Sequence, residues 1–224
     1  MDERQLLISF IGQMEENRDA EKAAAMKKYM KDLFPFLGIK APERKSLSKD
    51  FIIELNAVDD YESYVKELWE LPEREYQYVA IDFLVKKKKN LDESHIDFIK
   101  YLIVTKSWWD TVDAIASHLA GTIFSKHPEL IEKRGEEWLN SENIWLKRTM
   151  ILFQLKYKER TNDELLFSII ERTKHIDEFF IQKAIGWVLR EYSKTSPDAV
   201  TQFIESNELS SLAKREGLKH IQKP

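Results

Sequence analysis

Trp109 and Asp113 stand four residues apart in the run Lys106-Ser107-Trp108-Trp109-Asp110-Thr111-Val112-Asp113, a spacing that puts an indole and a carboxylate on one face of a helix. A carboxylate beside aromatic faces can stabilise a transient cation or orient water towards it, with the indole adding cation–π attraction. Cleavage of a deoxyribose N-glycosidic bond generates such a cation. A leaving base already made positive by alkylation needs no protonation, so no general acid is called for. Ser107 followed by Asp110 reads as a capping box and predicts a helix start here. At about 100° per residue, Trp108, Val112, Ile115 and Leu119 form the core stripe, while Trp109 and Asp113 point off it.

The elements that must hold these residues are helices. Only 6 glycines and 6 prolines interrupt the chain, and apolar residues recur at helical spacing with little alternation, so the class is all-α. Tyr78, Asp113, Arg148 and Lys183 follow one another at intervals of 35 residues, each embedded in a similar apolar pattern. Second helical segments from Ser94 to Val104, Pro128 to Leu139 and Asp163 to Glu171 fall between them. Tandem helix pairs at this period predict a right-handed α-solenoid of HEAT-like pairs, expected as one domain over residues 1–224. Equivalent positions then line up on one surface, and Trp187 and Arg190 extend the row beyond Lys183. Solenoid curvature makes such a row the floor of a concave groove. A plainer account stands beside this one: the tryptophans fill gaps between helices, and Asp113 and Arg148 form an interhelical ion pair that fixes register.

Composition removes several alternatives. The 224 residues, 43% of them hydrophobic, suffice for a full core, and the absence of cysteine excludes disulfides and thiol nucleophiles. His95, His118, His127, His175 and His220 show no metal-ligand spacing. The G-x-x-x-x-G-K-[ST] loop for nucleotide phosphates and the G-x-S-x-G nucleophile elbow are missing, as are paired carboxylates at matched spacing. The acidic opening Met1-Asp2-Glu3 and the interruption at Gly12-Gln13 argue against a signal peptide or membrane span, so a cytoplasmic protein is expected. A net charge of −4 does not decide against nucleic acid, because phosphate binding depends on where the cations lie. The first helices are expected at about 3–16 and 19–34. Gly38 and Pro42 are read as a helix stop and a new first turn, with Arg44 and Lys45 at a helix N-terminus able to meet a phosphate. Lys86 to Lys89 reads as a solvated helix end.

Longer runs carry a resemblance. Glu70-Leu71-Pro72-Glu73-Arg74-Glu75, the run from Val104 to Asp113, Asn143-Ile144-Trp145-Leu146-Lys147-Arg148, Phe153-Gln154-Leu155-Lys156-Tyr157-Lys158 and the run from Phe180 to Tyr192 closely resemble the AlkD family of bacterial DNA alkylation repair glycosylases. The resemblance spans nearly the whole chain. It implies a HEAT-like solenoid that holds duplex DNA on its concave face. The implied reaction is hydrolysis of positively charged N3- and N7-alkylpurines, such as 3-methyladenine and 7-methylguanine, without metal or other cofactor and without flipping the base. It matches Asp113, Trp109 and Trp187 to the catalytic cluster. Tyr29, Arg44, Lys45, Arg148, Lys156, Lys183 and Arg190 become the expected DNA contacts. The expected partner is alkylated double-stranded DNA, met by a monomer with no obligate protein partner and no membrane. Ala41 and Lys45 depart from the Thr-Pro-Glu-Arg-Arg expected of close relatives, which weakens the carry-over there. The chain also ends, at Gln222-Lys223-Pro224, somewhat earlier than expected of a relative. A non-catalytic solenoid that binds DNA or a protein is the alternative.

Overall fold

The structure, a computed structural model, describes residues 3–221; Met1, Asp2 and the three C-terminal residues, on which the expectations about the chain ends fall, lie outside them. Every regular element among the described residues is helical, and no helix is long and apolar enough to cross a membrane. The chain divides into two compact units at Lys87 and Lys88.

The first unit carries the helices Glu3–Glu16, Ala20–Tyr29, Ala41–Leu47, Lys49–Leu55, Tyr61–Glu70 and Arg74–Lys87. The first begins and ends as its sequence predicts. The second is shorter than expected: its C-terminal turn gives way at Lys31 and Asp32, both of which adopt positive φ, and the chain runs without regular structure to residue 40. That connection is tied down from below. The buried Glu75 carboxylate accepts the backbone N–H groups of Leu37 at 3.0 Å, Gly38 at 2.9 Å and Ile39 at 3.1 Å. Gly38 has φ +91°, and a Cβ there would lie 2.1 Å from the Asp19 carbonyl oxygen, so only glycine fits. Glu75→Gln turns an amide donor towards these N–H groups and should cost about 2–3 kcal/mol. Urea unfolding checks this, and an unchanged midpoint would contradict it.

The second unit stacks helix pairs. Ile96–Val104 pairs with a helix over 109–126, a segment over 129–140 with Ile144–Leu152, and Asp163–Thr173 with Phe179–Tyr192; Pro197–Ser206 and Ser211–Leu218 follow. Val112, Ile115 and Leu119 are fully buried, as the stripe predicts. The start of that helix differs from expectation. Trp108 is its N-cap, and the Ser107 hydroxyl donates to the Ile103 carbonyl instead of capping. Residues Ile115–Ala120 form a π-helical stretch in mid-helix, a feature often found beside functional positions.

A local device accompanies the repeat. Gln77, Lys147 and Gln182 each stand one residue before a repeat position and reach back eight residues, to the carbonyls of Trp69 at 2.9 Å, Leu139 at 3.1 Å and Lys174 at 3.0 Å. Each satisfies an orphan acceptor at the end of the preceding helix. Asn143, Asn162 and Ser210 cap the helices that follow them, accepting from Trp145, Leu165 and Ala213.

Candidate active site

Three neighbouring helices of the second unit, 109–126, Ile144–Leu152 and Phe179–Tyr192, present one side chain after another to a cleft of about 270 Å³. Trp109, Asp113 and Arg148 come from the first two, and Lys183, Trp187 and Arg190 from the third. The 35-residue spacing thus brings Asp113, Arg148 and Lys183 to one place, and the flanking tryptophans with them. Three lining residues had not been singled out from sequence: Phe179, Phe180 and Glu216. Phe179 is 60% exposed and offers no periodic signal. Phe180 ties the cleft to an aromatic cluster, its ring 4.7 Å from that of Trp108 and 5.1 Å from that of Trp145. Trp108, expected in the core stripe, belongs to this cluster. Glu216 falls outside the repeat.

The ion pair is present. Arg148 donates from Nε to Asp113 Oδ1 at 2.7 Å and from Nη2 to Oδ2 at 2.8 Å, a two-pronged pairing that fixes the plane of the carboxylate. Nη1 of Arg148 donates to the Phe180 carbonyl, so the guanidinium joins all three helices. Both partners are largely withdrawn from water, with the Asp113 side chain 14% and the Arg148 side chain 5% exposed. Burial pushes the Asp113 carboxyl above the ordinary aspartate value, against the opposing pull of Arg148. The net direction is up because desolvation disfavours the charged form. Each Asp113 oxygen keeps acceptor capacity beyond its bond to Arg148.

Along the same unit, Lys88, Lys126, Lys156 and Arg160 line a second pocket of about 320 Å³ whose lining includes no acidic residue. Lys88 and Lys156 lower the pKa of His118, after burial the next causes of that shift. Within the lysine run Lys88 faces this pocket and Lys87 folds over the Tyr61 ring at 4.1 Å, while Lys86 and Lys89 are exposed as its sequence implies. In the first unit, Tyr29 is highly exposed and Lys45 exposed. Arg44 turns inward, 3.3 Å from Asp82 and over the Tyr78 ring. Glu93, His127 and Glu129 bring ligand-type atoms within 4.8 Å of one another, the one such group among the described residues; Glu93 and Glu129 are exposed, and none of the three lines the Asp113 cleft.

Among the described residues the chain is all-helical, with a carboxylate, two indoles and several cations in one cleft. The model of the DNA alkylation repair enzyme family matches residues 10–221, and the chain belongs to that family. A solved structure described as a predicted DNA alkylation repair enzyme from Enterococcus faecalis is similar to it, at 38% identity and a TM-score of 0.85, over 93% of this chain and 98% of the other. No curated protein matches.

Proposed function

We propose that this protein is a monofunctional DNA glycosylase that hydrolyses the N-glycosidic bond of positively charged N3- and N7-alkylpurines in duplex DNA and leaves an abasic site. The observation that carries the reading is Asp113: a carboxylate held in plane by Arg148, in a cleft shared with Trp109 and Trp187. In the proposed reaction the C1′–N bond breaks and its electron pair neutralises the cationic base, which departs. The positive charge left on the deoxyribose is met by the Asp113 carboxylate and the indole faces. Water adds to C1′ and its proton passes to Asp113 or to solvent. No side chain has to protonate the leaving base. The cleft offers charges and aromatic rings but no polar set suited to a Watson–Crick edge. That favours contact with the sugar over extrusion of the base, in contrast to enzymes that flip their target.

The grip on DNA falls to Arg148, Lys183 and Arg190 in the cleft and to Lys156 in the neighbouring basic pocket, with Tyr29, Lys45 and Arg44 contributing from the first unit. Arg44 and Arg148 contribute through charge more than through direct bonds, since Arg44 is engaged with Asp82 and Arg148 with Asp113 and the Phe180 carbonyl. The protein is proposed to act as a monomer in the cytoplasm, where the nucleoid lies. The competing reading is a helical module that binds DNA or protein without chemistry, and the paired placement of Asp113 and Trp109 disfavours it. Duplex carrying one 7-methylguanine, incubated with the protein and then treated with alkali, should break at the lesion. Intact strands with DNA still bound would favour the binder. Affinity should also fall steeply as salt rises from about 50 to about 200 mM, despite the negative net charge; a flat profile would contradict a phosphate-gripping surface.

A further inference from the structure

Glu216 is the one charged group in the cleft that the proposed reaction leaves unused. It is 5% exposed, yet three cations converge on it: Lys219 Nζ at 2.6 Å, Lys183 Nζ at 3.2 Å and Arg190 Nη1 at 3.3 Å. Its position follows from Gly186. A Cβ there would lie 2.5 Å from the Glu216 Cβ and 3.0 Å from the Ala213 carbonyl oxygen. The helices Phe179–Tyr192 and Ser211–Leu218 meet at that point because residue 186 has no side chain. Lys183 and Arg190 lie one turn to either side of Gly186 on the same helix face, so the carboxylate is set between them.

The hydrogen bond from Lys219, with that from Lys183, holds the Glu216 carboxyl below the usual glutamate value, so it is charged throughout the neutral range. The cations themselves are not enclosed. Their side chains are 48% exposed for Lys219, 38% for Lys183 and 33% for Arg190. Arg190 and Lys219, with Trp187 and His220, also line an adjoining open pocket. A phosphodiester approaching from solvent can reach these cations, and it meets a fixed negative charge behind them.

We propose that Glu216 is a resident anion that competes with a backbone phosphate for Lys183, Arg190 and Lys219, and so limits how tightly the cleft holds DNA, including the abasic product. The proposal rests on the reading of the cleft as a DNA site. The Glu216 Cβ packs at Gly186 and the side chain is 7% exposed, so the carboxylate stays beside these cations when a phosphate arrives, and the two anions share them at a cost set by their mutual repulsion. A tether that merely joins the two helices has the opposite consequence, because removing it loosens the cations and weakens the grip.

Glu216→Gln keeps the shape and one acceptor oxygen while removing the charge. Binding to methylated duplex, measured across about 50 to 200 mM salt, should tighten on the order of fivefold at 0.1 M, with a slope of log K against log salt steeper by about 0.9. The multiple-turnover rate should fall relative to the single-turnover rate. Equal or weaker binding by a variant that melts cooperatively would overturn the proposal. Should Glu216→Gln fail to fold, Glu216→Ala carries the test: it removes the same charge, so its salt slope should again be steeper by about 0.9, and an unchanged or shallower slope would overturn the proposal. A parent protein that binds no duplex DNA defeats the DNA reading itself, whereas a parent that binds, with a variant that binds no tighter, defeats this inference alone.

Discussion

Replacing Asp113 by asparagine should lower the single-turnover release of 7-methylguanine by about 10²- to 10³-fold, the usual loss when one preorganised group facing transition-state charge is removed. DNA affinity should stay close to that of the parent. Asparagine has nearly the same shape and can still accept one bond from Arg148, so the loss isolates the charge. It turns its amide nitrogen towards the other guanidinium N–H, and thermal melting is the control for damage to the fold. The pH profile gives a second reading of the same carboxylate. Burial raises the Asp113 pKa, and the proposed reaction needs the ionised form. The acid limb of the rate profile should therefore lie above about pH 3.9, the unperturbed aspartate value, with activity lost as pH falls through the raised pKa. Equal rates for Asp113→Asn and the parent would sink the catalytic assignment.

Arg148→Ala should be the more damaging change to the fold. It removes both bonds to Asp113 and the bond to the Phe180 carbonyl, leaving a mostly buried carboxylate without its partner. Breaking a buried pair from one side costs about 3–5 kcal/mol, and urea unfolding should show it. The sign of the pH effect follows from the same bonds. Arg148 pulls the Asp113 pKa down against desolvation, so its loss sends the pKa further up and the acid limb of excision moves towards neutrality. Ionised Asp113 then opposes folding, a cost present above its folded-state pKa and absent below the unfolded value. DNA binding should weaken as well, since the cleft loses a positive charge and the support Arg148 gives to its three helices. Arg148→Lys keeps a charge but cannot reproduce the two-pronged contact, and should restore binding better than rate. An acid limb that stays in place in Arg148→Ala would contradict the coupling of the two residues.

The plain and the functional accounts of this pair turn out to be compatible. The Asp113–Arg148 ion pair joins adjacent helices of the repeat, as register-fixing would require, and it also faces a cleft with two indoles. The pair was legible because a repeat converts sequence distance into spatial equivalence: the 35-residue interval set Asp113, Arg148 and Lys183 side by side without any knowledge of packing. Helical spacing alone put Trp109 next to Asp113 and buried Val112, Ile115 and Leu119.

What escaped the sequence did so for physical reasons. Glu216 reaches the cleft through a close helix approach at Gly186, and no period leads to it. Phe179 is an exposed aromatic at a helix start, which pattern alone cannot distinguish from an ordinary surface residue. The π-helical stretch Ile115–Ala120 has no signature in the apolar spacing. Ser107 had the composition of a cap, but its hydroxyl found the Ile103 carbonyl one turn back, a competing local bond open to any serine. Arg44 had the position of a phosphate ligand, yet Asp82 and the Tyr78 ring draw it inward.

The most direct test of the central claim is chromatographic detection of free base during a single turnover on methylated duplex DNA. 7-Methylguanine and 3-methyladenine should appear as free bases far faster than by spontaneous depurination, with unmodified purines left in place. Duplex that stays bound to the protein for the whole time course while no alkylated base is released would contradict it.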